Sequence, residues 1–320
     1  MRRVFHDAKM SDSRLYNLAK LRQLVTKIRK KITTTPNSYN NLPPVLPHLY
    51  IMKHTILITG ASSGLGKATA QLFQANGWNV IATMRTPDSE LAALDNVLVH
   101  QLDVTDTDSI ASAVKAGIDR FGRIDVLVNN AGYGAYGPLE AFPREKILRQ
   151  FNTNVIGLLD VTRAVLPHFR AQQSGIIINI SSIGGKMAFP LGSLYHGTKF
   201  AVEGISEALR FETAAFNGRV KLVEPGAILT DFAGRSLDLS NDESMVEYQA
   251  LVGKLMAFTA SFYENASTAE AIAAVVYEAA TDGKDQLRYA AGEDAKGVIA
   301  NRQQLDDATF FGGIDAMFGL

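Results

Sequence analysis

The chain has no cysteine. That excludes disulfide scaffolds, thiolate zinc sites and cysteine nucleophiles. Its six histidines are scattered, with no H-E-x-x-H pair, so no metal centre is expected. No run of about eighteen apolar residues is present, so no membrane-spanning helix is expected either. Neither charge is in excess: 32 Lys/Arg face 32 Asp/Glu. The balance is uneven along the chain. Residues 1–50 hold ten Lys/Arg and two Asp/Glu, a net of +8, which leaves about −8 on the rest. Nucleic-acid binding needs a basic surface on the folded body, and this body is acidic, so no nucleic-acid partner is expected. No internal repeat is visible.

What is present is 320 residues with 47% hydrophobic content, enough for a sizeable core. Residues 1–51 form an addition to it. Segment 14–31, RLYNLAKLRQLVTKIRKK, places Leu15, Leu18, Leu21, Leu24 and Ile28 on one helical face. Lys20, Lys27, Arg29, Lys30 and Lys31 enrich the rest. Such a helix suits peripheral contact with an anionic membrane, organelle targeting, or docking on the body or a partner; a poorly ordered tail is a further reading. Met52-Lys53-His54 opens the first strand as a natural start would, so an upstream start codon is another. Residues 32–49, with four prolines, read as a linker. No secretory apolar segment is evident. The expected location is cytoplasmic, with membrane-surface or organelle targeting as what the extension would add.

The body is organised around residues 53–78. An apolar run at 55–59 precedes Gly60, Gly64 and Gly66, and an apolar-periodic stretch follows with Leu65, Ala68, Leu72 and Phe73. This is a strand, a tight turn and a helix. Glycine lets a ligand approach the backbone, and the helix start offers unpaired N–H groups to a pyrophosphate. The spacing is TGxxxGxG, not the dinucleotide fingerprint G-x-G-x-x-G.

Further strands are expected at 79–84, 97–102, 124–128, 175–180, 219–223 and 286–290. Helices are expected over 109–121 (capped by Asp106 or Thr107), 143–152, 153–171 with Pro167 in its last turns, 193–216, and 267–280 (capped by Ser267 or Thr268). Segment 232–264 reads as a mixed, partly helical excursion, and 291–320 as a cap on one edge or an interface. Alternating strands and helices predict an α/β fold: a doubly wound, mostly parallel Rossmann-type sheet of about seven strands, covered by helices on both faces, in one domain over 52–290.

Six elements then occur in one order: TGASSGLG at 59–66, NNAG at 129–132, Asn154, Ser182 in NISS, Tyr195-x-x-x-Lys199, and Pro225-Gly226. Together they resemble the classical short-chain dehydrogenase/reductase family, most like its hydroxysteroid and retinol dehydrogenase-type members. The resemblance covers about residues 52–290.

Tyr195 and Lys199, four apart, share one helix face. A phenol near pKa ~10 is a poor acid at neutral pH. A neighbouring ammonium favours phenolate and is expected to lower that value, which makes the pair a general acid/base. Ser182, at the exit of the fifth strand, can hold a substrate carbonyl. The resemblance implies these roles for Ser182, Tyr195 and Lys199. It adds a bond from Lys199 to the nicotinamide ribose, and a proton-relaying water held by Asn154.

The same resemblance implies cofactor contacts at Gly60, Ser62, Ser63, Gly64, Leu65 and Gly66. It extends them to Asp103 and Val104 beside adenine, Asn130, Ala131 and Gly132 along the adenosine side, Pro225, Gly226, and Thr230 near the carboxamide. The second strand ends in Met84-Arg85, with no acid to accept the adenosine ribose hydroxyls. Arg85 can pair with a 2′-phosphate, and Ser62 can add to it. The resemblance, with this arrangement, implies NADP(H) as the expected preferred cofactor, with NAD(H) possible. The motif reads YHGTK where Y-x-A-S-K is common, a departure expected to alter packing and not chemistry.

Apolar and aromatic side chains in 133–142, 183–192 and 231–262 suit a lipophilic ketone or aldehyde, steroid-like, retinoid-like or a simpler aromatic carbonyl. Tyr133, Tyr136, Met187, Phe189 and Phe258 are among them. Segment 231–262 is expected to act as a substrate lid. By resemblance the chain would form a homodimer or homotetramer. Two alternatives stand: a nucleotide-sugar epimerase or dehydratase, disfavoured by TGxxxGxG and the short tail, and a non-catalytic dinucleotide-binding scaffold or sensor, disfavoured by the presence of both Tyr195 and Lys199.

Overall fold

The computed structural model divides the chain into two units, Met1–Ile51 and Met52–Leu320. It describes residues 53–87, 89–230, 236–264 and 266–320. The basic helical face at 14–31 and the linker lie outside the described residues.

Seven parallel strands form the central sheet: β1 (Thr55–Thr59), β2 (Asn79–Met84), β3 (Val97–Gln101), β4 (Val126–Asn129), β5 (Gly175–Ile180), β6 (Gly218–Pro225) and β7 (Arg288–Ala291). Their order is β7-β6-β5-β4-β1-β2-β3. Every neighbour runs the same way, with Ile58 opposite Ala82 on one side and Val128 on the other. The chain winds outward from β1 in both directions, which opens a crevice at the carboxyl ends of β1 and β4.

Strand alternation sorts the core into two halves. Ile56, Ile58, Val80, Ala82 and Val128 point to one face, under α1 (Gly64–Ala75) and a later helix, α7 (Ala269–Thr281). Leu57, Ile81 and Leu127 point to the other. That face is covered by α2 (Thr107–Phe121), α4 (Gly157–Gln172) and α5 (Ser193–Ala214), through Ile110, Val114, Val161, Val165, Phe169 and Leu209. All five residues of β1 are buried, as expected of a parallel strand covered on both faces.

Caps set several helix ends. Asp106 accepts from Asp108 N and Ser109 N to start α2, and Gly122, at φ 80°, ends it. Thr268, not Ser267, caps α7 by accepting from Ala271 N. Helix α3 (Arg144–Phe151) does not break before α4; a wide π turn at Asn152–Ile156 joins them. The expected helix start at 153 is therefore corrected, because the coil continues with one widened turn. The expected strand at 219–223 is longer, because the chain stays extended through Pro225 and its neighbour β5 pairs with it from Gly218.

The excursion after β6 holds two small features the sequence did not signal. Gly134–Tyr136 pairs in parallel with Leu237–Leu239, and Ile228–Leu229 with Ser267–Thr268. Helix α6 (Val246–Tyr263) follows. After β7 come α8 (Glu293–Gln304) and α9 (Asp307–Phe318), whose Ala295, Ile299 and Phe310 pack with Ile183 and Met187. The segment after 291 thus helps wall the region beside Ser182. No helix among the described residues is long and apolar enough to cross a membrane.

Candidate active site

The glycine turn is built so that two backbones can meet. Gly60 and Gly64 sit at φ +69° and +52°, where side chains are disfavoured. A Cβ on Gly66 would lie 2.3 Å from the Gly60 carbonyl oxygen and 2.6 Å from Asn130 Nδ2. Asn130 Nδ2 donates to the carbonyls of Thr59 (2.9 Å) and Gly60 (3.1 Å). Thr59 Oγ1 accepts from Asn130 N and Ala131 N, both at 3.0 Å. The ends of β1 and β4 are thereby stitched into one platform, beside the α1 amino end. Ser63 is the residue before that helix, and its side chain makes no cap bond, so it leaves the first amides for an anion. Leu65 is buried, so only its backbone can face a ligand.

At the end of β2, Met84 is buried. Arg85 is exposed and has no hydrogen-bond or ion-pair partner among the described residues. Ser62 is also exposed. Past β3, Asp103 Oδ1 accepts from Thr105 N and Oγ1, and Val104 packs by its carbonyl against Gly157. Thr230 stands directly over Gly64, with its Cγ2 3.1 Å from where a Cβ would be. The structure so places Thr230 against the glycine turn.

Asn154 lies in the π turn and is buried. Its Oδ1 accepts from Tyr133 N (3.1 Å), and its Nδ2 donates to Tyr133 O (2.8 Å) and Thr198 Oγ1 (3.1 Å). Both amide hydrogens are committed, so the side chain braces the backbone after Gly132. The second lone pair of Oδ1 stays open to a water.

Ser182, Tyr195 and Lys199 come together where β5 ends and α5 passes. Ser182 Oγ accepts from Gly184 N at 3.0 Å. Lys199 Nζ donates to the Ile180 carbonyl at 2.9 Å and lies 5.8 Å from the centre of the Tyr195 ring. The Tyr195 pKa does not fall as the sequence suggested. Burial pushes it up to about 12, against a smaller lowering by the Ser182 hydrogen bond. Burial likewise draws Lys199 down to about 8, opposed by Glu203. Desolvation is the largest cause of both shifts.

Several contributors went unnoticed in the sequence. Thr198 Oγ1 donates to Tyr195 O (2.7 Å) and so links Asn154 to the tyrosine turn. Gln150, fully buried, clamps the amide of Ala135 and the carbonyl of Tyr133. Asp294, at the start of α8, accepts from Ala227 N at 2.8 Å, and a Cβ on Gly226 would lie 2.0 Å from it. It pins the Pro225-Gly226 loop from nearly seventy residues away, and no local pattern marks it. Tyr136 packs its ring 5.4 Å from that of Tyr195.

Comparison with known proteins agrees with this arrangement. The pattern of the short chain dehydrogenase family matches residues 54–239. The chain is 46% identical to an uncharacterized oxidoreductase of Schizosaccharomyces pombe, over 74% of this chain and 100% of the relative. It is 47% identical to 3-ketodihydrosphingosine reductase of Bacteroides thetaiotaomicron, over 55% of this chain and 65% of that one. The crystal structure of a short-chain dehydrogenase from Streptomyces avermitilis superposes with a TM-score of 0.72 at 34% identity, covering 82% and 96% of the two chains. ElxO with NADP bound superposes with a TM-score of 0.61 at 29% identity, covering 74% and 95%. With its doubly wound parallel sheet and its match over more than half its length, the chain belongs to the short-chain dehydrogenase/reductase family of oxidoreductases.

Proposed function

We propose that this oxidoreductase uses NADPH to reduce a lipophilic ketone or aldehyde to its alcohol, with Tyr195 as the proton donor. The observation that carries the reading is the convergence of Ser182, Tyr195 and Lys199 beside the glycine turn. The free α1 amides and the bare Gly66 fit a pyrophosphate, since a side chain there would fill the cradle. Arg85, exposed and without a partner among the described residues, fits a 2′-phosphate, and buried Met84 offers no carboxylate to repel one. ElxO, seen with NADP bound, supports the same choice, and the relative named 3-ketodihydrosphingosine reductase supports a ketone.

When bound, the reduced nicotinamide would supply hydride to the carbonyl carbon. Ser182 Oγ would turn its hydrogen to the carbonyl oxygen and fix it in front of the phenol. Burial raises the Tyr195 pKa, so the phenol is protonated at neutral pH and would need Lys199 beside it to release that proton readily. After proton delivery, the Lys199 ammonium, anchored on Ile180 O, would steady the phenolate. Alcohol oxidation would use the same groups in reverse, with Tyr195 accepting the proton. Tyr136, Phe189 and Phe258 would line the approach, with α6 acting as the lid.

The test is a panel of ketones, aldehydes and alcohols read at the nicotinamide absorbance with all four cofactor forms. NADPH with an apolar ketone should give the largest kcat/KM. Tyr195→Phe should lower kcat by about 10²- to 10⁴-fold, and Arg85→Asp should move preference toward NADH. Turnover by Tyr195→Phe at the parent rate would overturn the reading. Exposed Leu148, Phe151, Ile156, Phe200 and Phe211 support a homodimer or homotetramer; a single-chain mass by light scattering would count against it. A cytoplasmic location is a companion proposal, as is contact of residues 14–31 with anionic membranes. Equal sedimentation with anionic liposomes by the full chain and by a chain starting at Met52 would reject it.

A further inference from the structure

The second residue of YHGTK does more than fill space. His196 is buried at 4% exposure, between Gly184 and Gly192; a Cβ on either would come within 2.8 Å of its ring. Its Nε2 accepts from Phe189 N at 3.1 Å, and its Nδ1 lies 3.0 Å from the Gly184 carbonyl oxygen. A backbone N–H can only donate, so Nε2 carries the lone pair. The proton therefore sits on Nδ1 and is donated to Gly184. One neutral imidazole ties both ends of the segment from Gly184 to Phe189.

That segment borders the reacting group. The His196 ring meets Tyr195 edge-on at 5.7 Å and Tyr136 at 6.1 Å. Phe189 heads an aromatic row: it lies 5.3 Å from Phe258 of α6, which stacks on Phe262 at 5.5 Å and approaches Phe318 of α9 at 5.3 Å. Just beyond, Leu191 is held at φ +61°, a conformation a leucine does not choose, and its carbonyl accepts from Gly137 N at 2.7 Å. A strained residue persists only where its surroundings hold it.

We infer that His196 is a positioning residue: in its Nδ1–H form it fixes residues 184–191 as a rigid wall of the substrate site and, through Phe189, decides which apolar groups fit beside Tyr195. The inference rests on Tyr195 as the acid/base. Protonation would place a second N–H against the Phe189 N–H, two donors face to face, and would release the wall. The titratable groups facing the ring are the phenols of Tyr136 and Tyr195; no carboxylate or ammonium among the described residues acts on its ionisation. Burial holds its pKa below the usual histidine value, against the opposing Gly184 carbonyl. The wall thus persists through neutral pH and loosens only in acid.

The experiment uses the full chain. Imidazole ¹⁵N–¹H correlation at pH 7.5 should show His196 as the Nδ1–H tautomer. His196→Phe keeps a ring and loses both bonds. It should raise KM for an apolar ketone about tenfold, the equivalent of one buried hydrogen bond, with little change in kcat or in NADPH affinity. Protease cleavage should appear within 184–192. His196→Asn, retaining only the donor to Gly184, should fall between. Parent-like KM and protease resistance in His196→Phe, or an Nε2–H tautomer in the parent, would overturn the inference. Should His196→Phe not fold, the tautomer and the acid-induced cleavage of the parent decide. If no carbonyl is turned over at all, the functional reading fails, while the tautomer and protease results still judge the wall.

Discussion

Adjacent residues of β7 face opposite sides of the sheet and enter two buried charge clusters that behave differently. On one side, Tyr289 completes a triangle with Lys221 and Asp282. Lys221 Nζ reaches Asp282 Oδ1 at 2.8 Å and Tyr289 OH at 2.7 Å, and Tyr289 OH donates to Asp282 Oδ2 at 2.8 Å. On the other, Arg288 faces three carboxylates. Its Nε donates to Glu203 Oε2 at 2.9 Å, another of its nitrogens meets Glu207, and Glu224 Oε1 is left 3.2 Å from Nε without a hydrogen bond. Lys186 is 3.9 Å from Glu203. The carboxyls of Asp282 and Glu224 are both buried, at 7% and 2% exposure, yet stoichiometry differs. In the triangle burial opposes ionisation, but hydrogen bonds from Lys221 and Tyr289 draw Asp282 down to about 2. In the acid-rich cluster, burial and Glu203 push Glu224 up to about 7. A buried charge is settled when its partners match it in number; an unmatched carboxyl keeps a proton instead.

Breaking the balanced side should have the largest effect. Lys221→Met strands the Asp282 carboxylate and should cost about 3–5 kcal/mol in urea unfolding at pH 7. Combining it with Asp282→Leu and Tyr289→Phe should restore most of the loss, because no buried charge then remains. The acid-rich side should show its difference in pH dependence. The folded pKa of Glu224 is raised, so its contribution is full below the unfolded carboxyl value and is lost as pH rises through about 7. Glu224→Gln, neutral at every pH, should flatten that decline and be at least as stable as the parent at pH 8. Asp282 has the opposite sign: its contribution is present above the unfolded value and is lost as pH falls toward 2. The smallest change should come from Glu207→Gln, whose side chain is 56% exposed. A loss below about 1 kcal/mol is expected there, and a larger one would mean that Arg288 depends on its exposed partner.

The glycine turn, the parallel sheet around it and the Ser182–Tyr195–Lys199 group could be read before any coordinates. In each case a local pattern forces the geometry. Gly60 needs its positive φ, β1 needs an unbroken apolar run, and residues four apart on α5 must share a face. What stayed hidden depends on distant partners. Asp294 acts on Ala227, Gln150 on Ala135, and His196 on Gly184 and Phe189; none of these pairings leaves a mark on the sequence nearby. The direction of the Tyr195 shift was misread for a related reason. The ammonium four residues on was visible, but the depth at which both groups would lie was not. Strand pairs of two and three residues, such as Ile228–Leu229 with Ser267–Thr268, are too short to impose a period.

The widened turn at Asn152–Ile156 bears on how this chain tolerates change in length. Such a turn holds one residue more than ordinary winding over the same span. Deleting one of the five would let the two flanking helices merge into a regular coil with their outward faces kept in phase, because the widened turn already absorbs the extra residue. The sheet would survive, since neither helix end supplies a strand pairing. The Asn154 carboxamide would swing off the Tyr133 backbone, and with it would go the brace behind Gly132. A relative shortened here would keep its architecture and lose that hold on the Tyr133 backbone.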